Sequence, residues 1–155
     1  MTTQEEIQFD RSLLGIEHPV GEFEITKDRI LGFANAMGET EPVFTDEAEA
    51  SKTKHGGIIA PPTFCNIFTS EIKRPEIGLE FGDLGFHAGQ AIEYKSPVRP
   101  GDKLSAKTKL KEVYAKTGRS GKMVFEVWET NFTNQHDVVV ATVKESFVHR
   151  SKTNL

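Results

Sequence analysis

The chain has 155 residues, 37% hydrophobic and 27% charged, which is enough apolar material for one buried core and more than a disordered chain carries. Its net charge of −4 argues against nucleic-acid binding by phosphate neutralisation. No apolar run approaches the length of a membrane span, and a single cysteine excludes an internal disulfide and suits a reducing compartment. The opening "MTTQEEIQFD" is acidic and polar, unlike a signal or transit peptide, so the expectation is a cytoplasmic protein without membrane or nucleic-acid partners.

The first twenty-one residues are mixed and turn-rich. "EFEI" (Glu22 to Ile25) alternates and predicts a short strand. Thr26 is placed to cap a helix over "KDRILGFANAM", with Ile30, Phe33, Ala34 and Met37 on one face and Gly38 ending it. "DEAEASK" predicts a short polar helix. In "HGGIIAPPTFCNIFTSEI" (His55 to Ile72) two glycines and two prolines lead into an apolar stretch. Phe64, Ile67, Phe68 and Ile72 share a face, which predicts a buried central helix from Pro62 onward. "RPEIGLEFGDLG" reads as loop. The remainder alternates: "FHAGQAIEYKSPV", "KLSAKTKLKEVYAK", "MVFEVWETNFTN" and "VVVATVKESFVHR", with turns at "RPGD", "TGRSGK" and "QHD". Long alternating strands joined by short turns predict an antiparallel meander, and the whole an α+β domain over residues 1–155 with its core at about 20–150. The open edges of such a sheet are commonly covered by oligomerisation.

"GETEPVF" (Gly38 to Phe44) brings a glycine, two carboxylates and a proline together at a helix end, as at the mouth of an active site. It ends in Phe44, where a proton-carrying side chain is wanted. Read from the residues alone, it is a helix cap, an acidic loop and an apolar anchor.

The stretches "HGGIIAPPTF", "HAGQAIEYKSPVRPGDKL" and "GRSGKMVFEVWETNFTNQHDVVVAT", in this order and spacing, resemble the MaoC-like dehydratases and R-specific enoyl-CoA hydratases of the hot-dog superfamily. The likeness is to the FAS1-like N-terminal dehydratase branch, which includes accessory subunits of 3-hydroxyacyl-ACP dehydratase. It covers about residues 20–150. The resemblance implies a hot-dog fold, a long antiparallel sheet wrapped around a central helix and paired into a double hot-dog dimer. It implies an acyl-CoA or acyl-carrier-protein thioester as ligand, no cofactor and no metal, and a place in fatty acid metabolism. The partner is a catalytic MaoC-like subunit or a second copy of the chain.

The family's hydratase pattern is an aromatic followed by G-D-x-N-P-[LIV]-H and then Ala or Ser. Phe33, Gly38, Pro42, Val43 and Ala50 meet it. The family's Asp falls on Glu39, its Asn on Glu41 and its His on Phe44. Hydration of an enoyl thioester needs a base, an acid and donors for the enolate oxygen. A phenyl ring moves no proton, and the extra methylene of Glu39 displaces its carboxylate by about 1 Å, a misplacement that costs roughly 10²-fold. The family's His-Gly pair at the helix entry falls on Pro61 and Pro62; proline has no N–H, which leaves the Thr63 amide as the first donor. The other hot-dog solution, a glutamate within the central helix, finds Phe68 at that position and Glu71 further out.

The resemblance therefore implies an accessory, non-catalytic subunit of a (3R)-hydroxyacyl-thioester dehydratase, with Phe44, Ile59, Pro62, Thr63, Phe64 and Phe68 as substrate-binding residues. The alternatives are a self-sufficient hydratase using Glu39 and His87, and an acyl-thioester-binding module without chemistry. By composition and spacing, Cys65 is a small buried apolar group, and the five histidines form no metal-ligating cluster.

Overall fold

The computed structural model describes residues 6–152. Five strands form one antiparallel sheet in the order β1-β3-β4-β5-β2: β1 (Glu17–Glu24), β2 (Leu84–Tyr94), β3 (Lys103–Gly118), β4 (Gly121–Thr133) and β5 (Val139–Arg150). β3, β4 and β5 are the expected meander; β2 pairs with β5, which leaves β1 and β2 as the edges. β1 begins before "EFEI" because a bulge between Pro19 and Gly21 breaks the alternation that marks a strand. Gly21 is required there: a Cβ would lie 2.8 Å from the Phe23 ring.

The first helix, α1 (Lys27–Ala36), starts and stops as expected. Thr26 Oγ1 accepts from the Arg29 N–H at 3.2 Å. Gly38 adopts φ 68°, its N–H donates to Asn35 O at 3.1 Å, and the Glu39 N–H donates to Ala34 O at 2.8 Å, a Schellman closure. Ile30 and Ala34 are buried, whereas Met37 lies past the last turn and is 64% exposed. Two one-turn helices follow, α2 (Pro42–Thr45) and the expected α3 (Glu47–Ala50).

The central segment departs from expectation. It is not an α-helix from Pro62 to Ile72 but a 3-10 helix over Phe64–Phe68. At its end, side-chain hydroxyls share the last carbonyls: Thr69 Oγ1 donates to Asn66 O at 2.8 Å beside the Thr69 N–H at 3.3 Å, and Ser70 Oγ donates to Ile67 O at 3.3 Å. The apolar pattern still does its work, burying Phe64, Cys65, Phe68 and Ile72. Phe68 stacks on Phe23 at 4.3 Å and meets Phe64 edge-on at 5.5 Å, with Phe132 of β4 at 6.0 Å. Each such ring contributes about 1.5–3 kcal/mol by burial.

A second buried cluster lies toward the other end of the sheet, where Ile77, Leu110 and Trp128 pack with Phe9, Leu13, Leu79 and Phe147. There the sheet is covered by irregular chain and one 3-10 turn, Arg11–Leu13, rather than by an α-helix. The strap 73–83 is stitched to the N-terminal segment, Asp10 N–H to Ile77 O at 2.8 Å and Glu80 N–H to Gln8 O at 3.0 Å. No helix among the described residues is long and apolar enough to cross a membrane.

Candidate functional site

The loop after α1 keeps its frame but turns its carboxylate inward. Glu39 Oε1 accepts from the backbone N–H groups of Thr40 (3.1 Å) and Glu41 (3.3 Å), so it braces its own turn. Pro42 opens α2 at its first position, and the Phe44 N–H donates to Glu41 O at 3.0 Å. Phe44 is half-buried; the ring that meets Phe64 edge-on is Phe33, at 5.6 Å. Ile59 is buried and its N–H donates to Val43 O at 3.2 Å, which ties the loop to the central segment.

The central segment offers less room than the sequence implied. Phe64 and Phe68 are 1% and 0% exposed, closed inside the ring cluster. Pro61 is buried; Pro62 and Thr63 are exposed. The Thr63 N–H donates to no backbone acceptor among the described residues. Glu71 pairs with Arg29 at 3.1 Å, with the Arg29 guanidinium 4.8 Å above the Phe68 ring. Burial pushes the Cys65 thiol up to about 12, so it stays protonated and inert at neutral pH.

Open space lies instead under the strap. A cleft of about 720 Å³ is lined by strap residues including Arg74, Ile77, Leu79 and Phe81, by Phe86 and His87 of β2, and by Glu126, Phe147 and His149 of the sheet. A second, of about 390 Å³, shares Arg74, His87 and Phe147 and adds Glu145, Gln90 and Thr69. Both fall within the size range of ligand pockets, about 300–1,000 Å³. Neither is lined by Glu39 or Phe44.

Alternation on β5 explains the chemistry of this floor. Ala141 and Val143 face the apolar core, and the same face continues through Glu145, Phe147 and His149. Glu145, with a side chain only 5% exposed, accepts from the Arg74 guanidinium and lies 3.1 Å from His87 Nε2. One register step along β4, Glu126 Oε2 lies 2.9 Å from His149 Nε2, while its other oxygen accepts from the Trp128 indole N–H. Arg74 stacks 5.1 Å from the Phe147 centroid, and its Nε is buried without an acceptor. Burial lowers the Arg74 guanidinium from its ordinary value, opposed by Glu145 and then by Glu126. His87 meets Phe147 edge-on at 5.3 Å, and its Nδ1 makes no hydrogen bond among the described residues.

His87 was singled out from sequence; Arg74, Glu126, Glu145 and His149 were not. The signal was present: strand alternation puts Glu145 and His149 in line with Val143, on a face that is otherwise apolar. His87 and Glu39 do not meet, since each is held by different partners. Among the described residues no group of three or more His, Cys, Asp or Glu is placed to hold a metal ion.

The family model described as FAS1-like, dehydratase domain region, matches residues 12–143. The chain belongs to that family. This FAS1-like dehydratase-domain protein is 32% identical over 115 residues to a UPF0336 protein of Streptomyces coelicolor, covering 70% of this chain and 76% of the relative. Its fold matches the HadBC (3R-hydroxyacyl-ACP dehydratase) complex of Mycobacterium tuberculosis with TM-score 0.73 and 20% identity, over 90% of this chain and 98% of that one. It matches the R-hydratase PhaJ1 of Pseudomonas aeruginosa with TM-score 0.69 and 20% identity, over 90% and 83%. The FAS1-like protein thus has the hot-dog fold that its sequence implied.

Proposed function

We propose that this chain is the accessory, non-catalytic subunit of a heteromeric (3R)-hydroxyacyl-thioester dehydratase or enoyl-CoA hydratase, supplying room for the acyl chain while a partner supplies the proton chemistry. One observation carries this reading. The loop keeps its Gly38 closure and its Pro42 helix start, yet the family's proton-carrying position is Phe44, and Glu39 spends its carboxylate on the amides of Thr40 and Glu41. A carboxylate already accepting two backbone hydrogen bonds is a poor base for a substrate proton. That one of the matched folds belongs to a two-subunit dehydratase complex supports a partner. So does the edge strand β2, whose side chains are mostly exposed, including Phe86 and Tyr94.

The test is enzymatic. The purified chain alone is expected to hydrate crotonyl-CoA far below ~10 s⁻¹, a typical enzyme's turnover. Co-purified with a MaoC-like chain that carries the intact G-D-x-N-P-x-H loop, it is expected to raise that partner's activity on longer acyl thioesters. Turnover by the chain alone within about tenfold of the typical value overturns the accessory reading.

A further inference from the structure

The sheet has a second face, turned away from the core, and cross-strand register lines up its side chains. Tyr114 of β3 pairs with Phe125 of β4, Phe125 with Val148 of β5, and Val148 with Phe86 of β2. Directly paired residues share a side of the sheet, and neighbours along a strand alternate. The row therefore lies opposite Val124, Phe147 and His149. Tyr114 and Phe125 stack at 5.1 Å with their planes 9° apart, and Phe86 is 50% exposed. Val127, on the same side of β4, is buried yet belongs to neither core cluster.

Cations border this row. From Val113 to Phe125 the chain has Lys116, Arg119 and Lys122 and no carboxylate, in a protein of net charge −4. Two positions along the strands from the row, and on its side, Lys116 pairs with Met123 and Arg150 with Leu84. Lys116 Nζ lies 5.5 Å from the Tyr114 centroid and 5.8 Å from that of Phe125. Lys116 and Arg119 are exposed, and neither has a carboxylate within ion-pair distance among the described residues.

We propose that this face docks an acidic amphipathic helix of a partner protein. The helix lays its apolar stripe along Tyr114, Phe125, Val148 and Phe86 and sets carboxylates against Lys116 and Arg119. Four strands span three inter-strand spacings, about 14 Å, which is the length of about nine residues of helix and matches apolar anchors at every third or fourth residue. The rings hold the Lys116 ammonium over the stripe, so an incoming carboxylate meets a charge already in place. A second copy does not supply such a helix: α1 reads KDRILGFANA, with one acid against two cations, and α2 and α3 are one turn each. A lipid surface finds nothing to bury at the hairpin tip, where residues 117–121 have no apolar side chain. A helix on this face leaves the hydrogen-bonding edge of β2 open, so the inference goes beyond the accessory reading and stands without it.

The probe is a fluorescein-labelled helical peptide with leucine at every third or fourth position and glutamate between, followed by anisotropy at low salt. The same peptide with lysine for glutamate and vesicles of phosphatidylglycerol are the comparison arms. The glutamate peptide is expected to bind at least tenfold more tightly than the lysine peptide. Its affinity should fall at least tenfold in the double variant Lys116→Glu with Arg119→Glu, whose positions are exposed and leave the fold intact. Tyr114→Ser, which keeps every charge, should weaken it as well. The wild-type protein gives a reading without substitution, because it has two tyrosines and Tyr94 pairs with the core residue Ala141. In NMR spectra the peptide should shift the Tyr114 ring signals and leave those of Tyr94 unmoved.

The inference is overturned by equal affinity for the two peptides, by wild-type affinity in the folded double variant, or by shifts confined to Tyr94. Tighter binding to the vesicles than to the glutamate peptide, or no binding at millimolar peptide, overturns it too.

Discussion

Removing the Glu145 carboxylate tests the polar floor directly. The group is 5% exposed and accepts from Arg74, itself only 15% exposed. Glu145→Ala leaves the guanidinium buried without its main partner, a change that costs about 3–5 kcal/mol when nothing replaces the lost charge. Glu126 also attracts Arg74 and remains in place, so the lower end, about 3 kcal/mol, is expected. For a chain of this size each kcal/mol moves Tm by roughly 2–4 °C, which gives a fall of about 6–12 °C. The pair should nevertheless be no net gain over apolar packing, because burial lowers the Arg74 pKa even against two carboxylates. Replacing both residues, Arg74→Met with Glu145→Leu, is therefore expected to restore wild-type stability or exceed it by about 1–4 kcal/mol. Urea unfolding followed by fluorescence of Trp128, the cross-strand partner of Glu145, measures both variants, with the slope m confirming a two-state comparison. Two results refute the reasoning. One is a loss below ~1 kcal/mol for Glu145→Ala, the level of a surface pair. The other is a double variant no more stable than the single.

Two further outcomes follow from other parts of the structure. Because burial raises the Cys65 thiol from 9.0 to about 12, its protonated form adds stability that is complete below pH 9 and disappears as pH rises toward 12. Tm measured from pH 8 to 11 should drop more steeply for wild type than for Cys65→Ala, by about 1.4 kcal/mol per unit above 9; parallel curves would refute the burial argument. In the loop, Phe44→Ala should cost less than the ~3–5 kcal/mol of a fully buried phenylalanine. Rebuilding the family loop by Glu39→Asp, Glu41→Asn and Phe44→His is expected to rescue crotonyl-CoA hydration only in part, since Pro61 and Pro62 still bring no N–H. Full rescue would show that the central segment's entry never lacked a donor.

Where order was written in local chemistry, the sequence was enough. Thr26, the apolar spacing of Ile30 and Ala34, and Gly38 mark α1 because caps and helical periodicity act within a few residues. β3, β4 and β5 carry the apolar positions that mark strands because each packs a face on the core. The ring of Phe23, Phe64, Phe68 and Phe132 was foreshadowed by apolar patterning, though not the pairing that assembles it. The loop "GETEPVF" showed both its inherited frame and its missing imidazole, since both are matters of residue identity.

Other features depended on chain brought in from far along the sequence. That the central segment stops at Phe68 goes with side-chain hydroxyl bonds at Thr69 and Ser70, which residue spacing does not weigh. That β2 sits on β5, at the sheet edge, is a choice among pairings that local alternation leaves equal. The polar floor required all of these together. Arg74 comes from an irregular strap, His87 from β2, Glu126 from β4, and Glu145 and His149 from β5. In sequence these are scattered polar residues; the register of three strands and the path of one strap make them neighbours. A carboxylate reads as a solvated charge until the sheet turns its face inward, and only the assembled structure decides which way that face points.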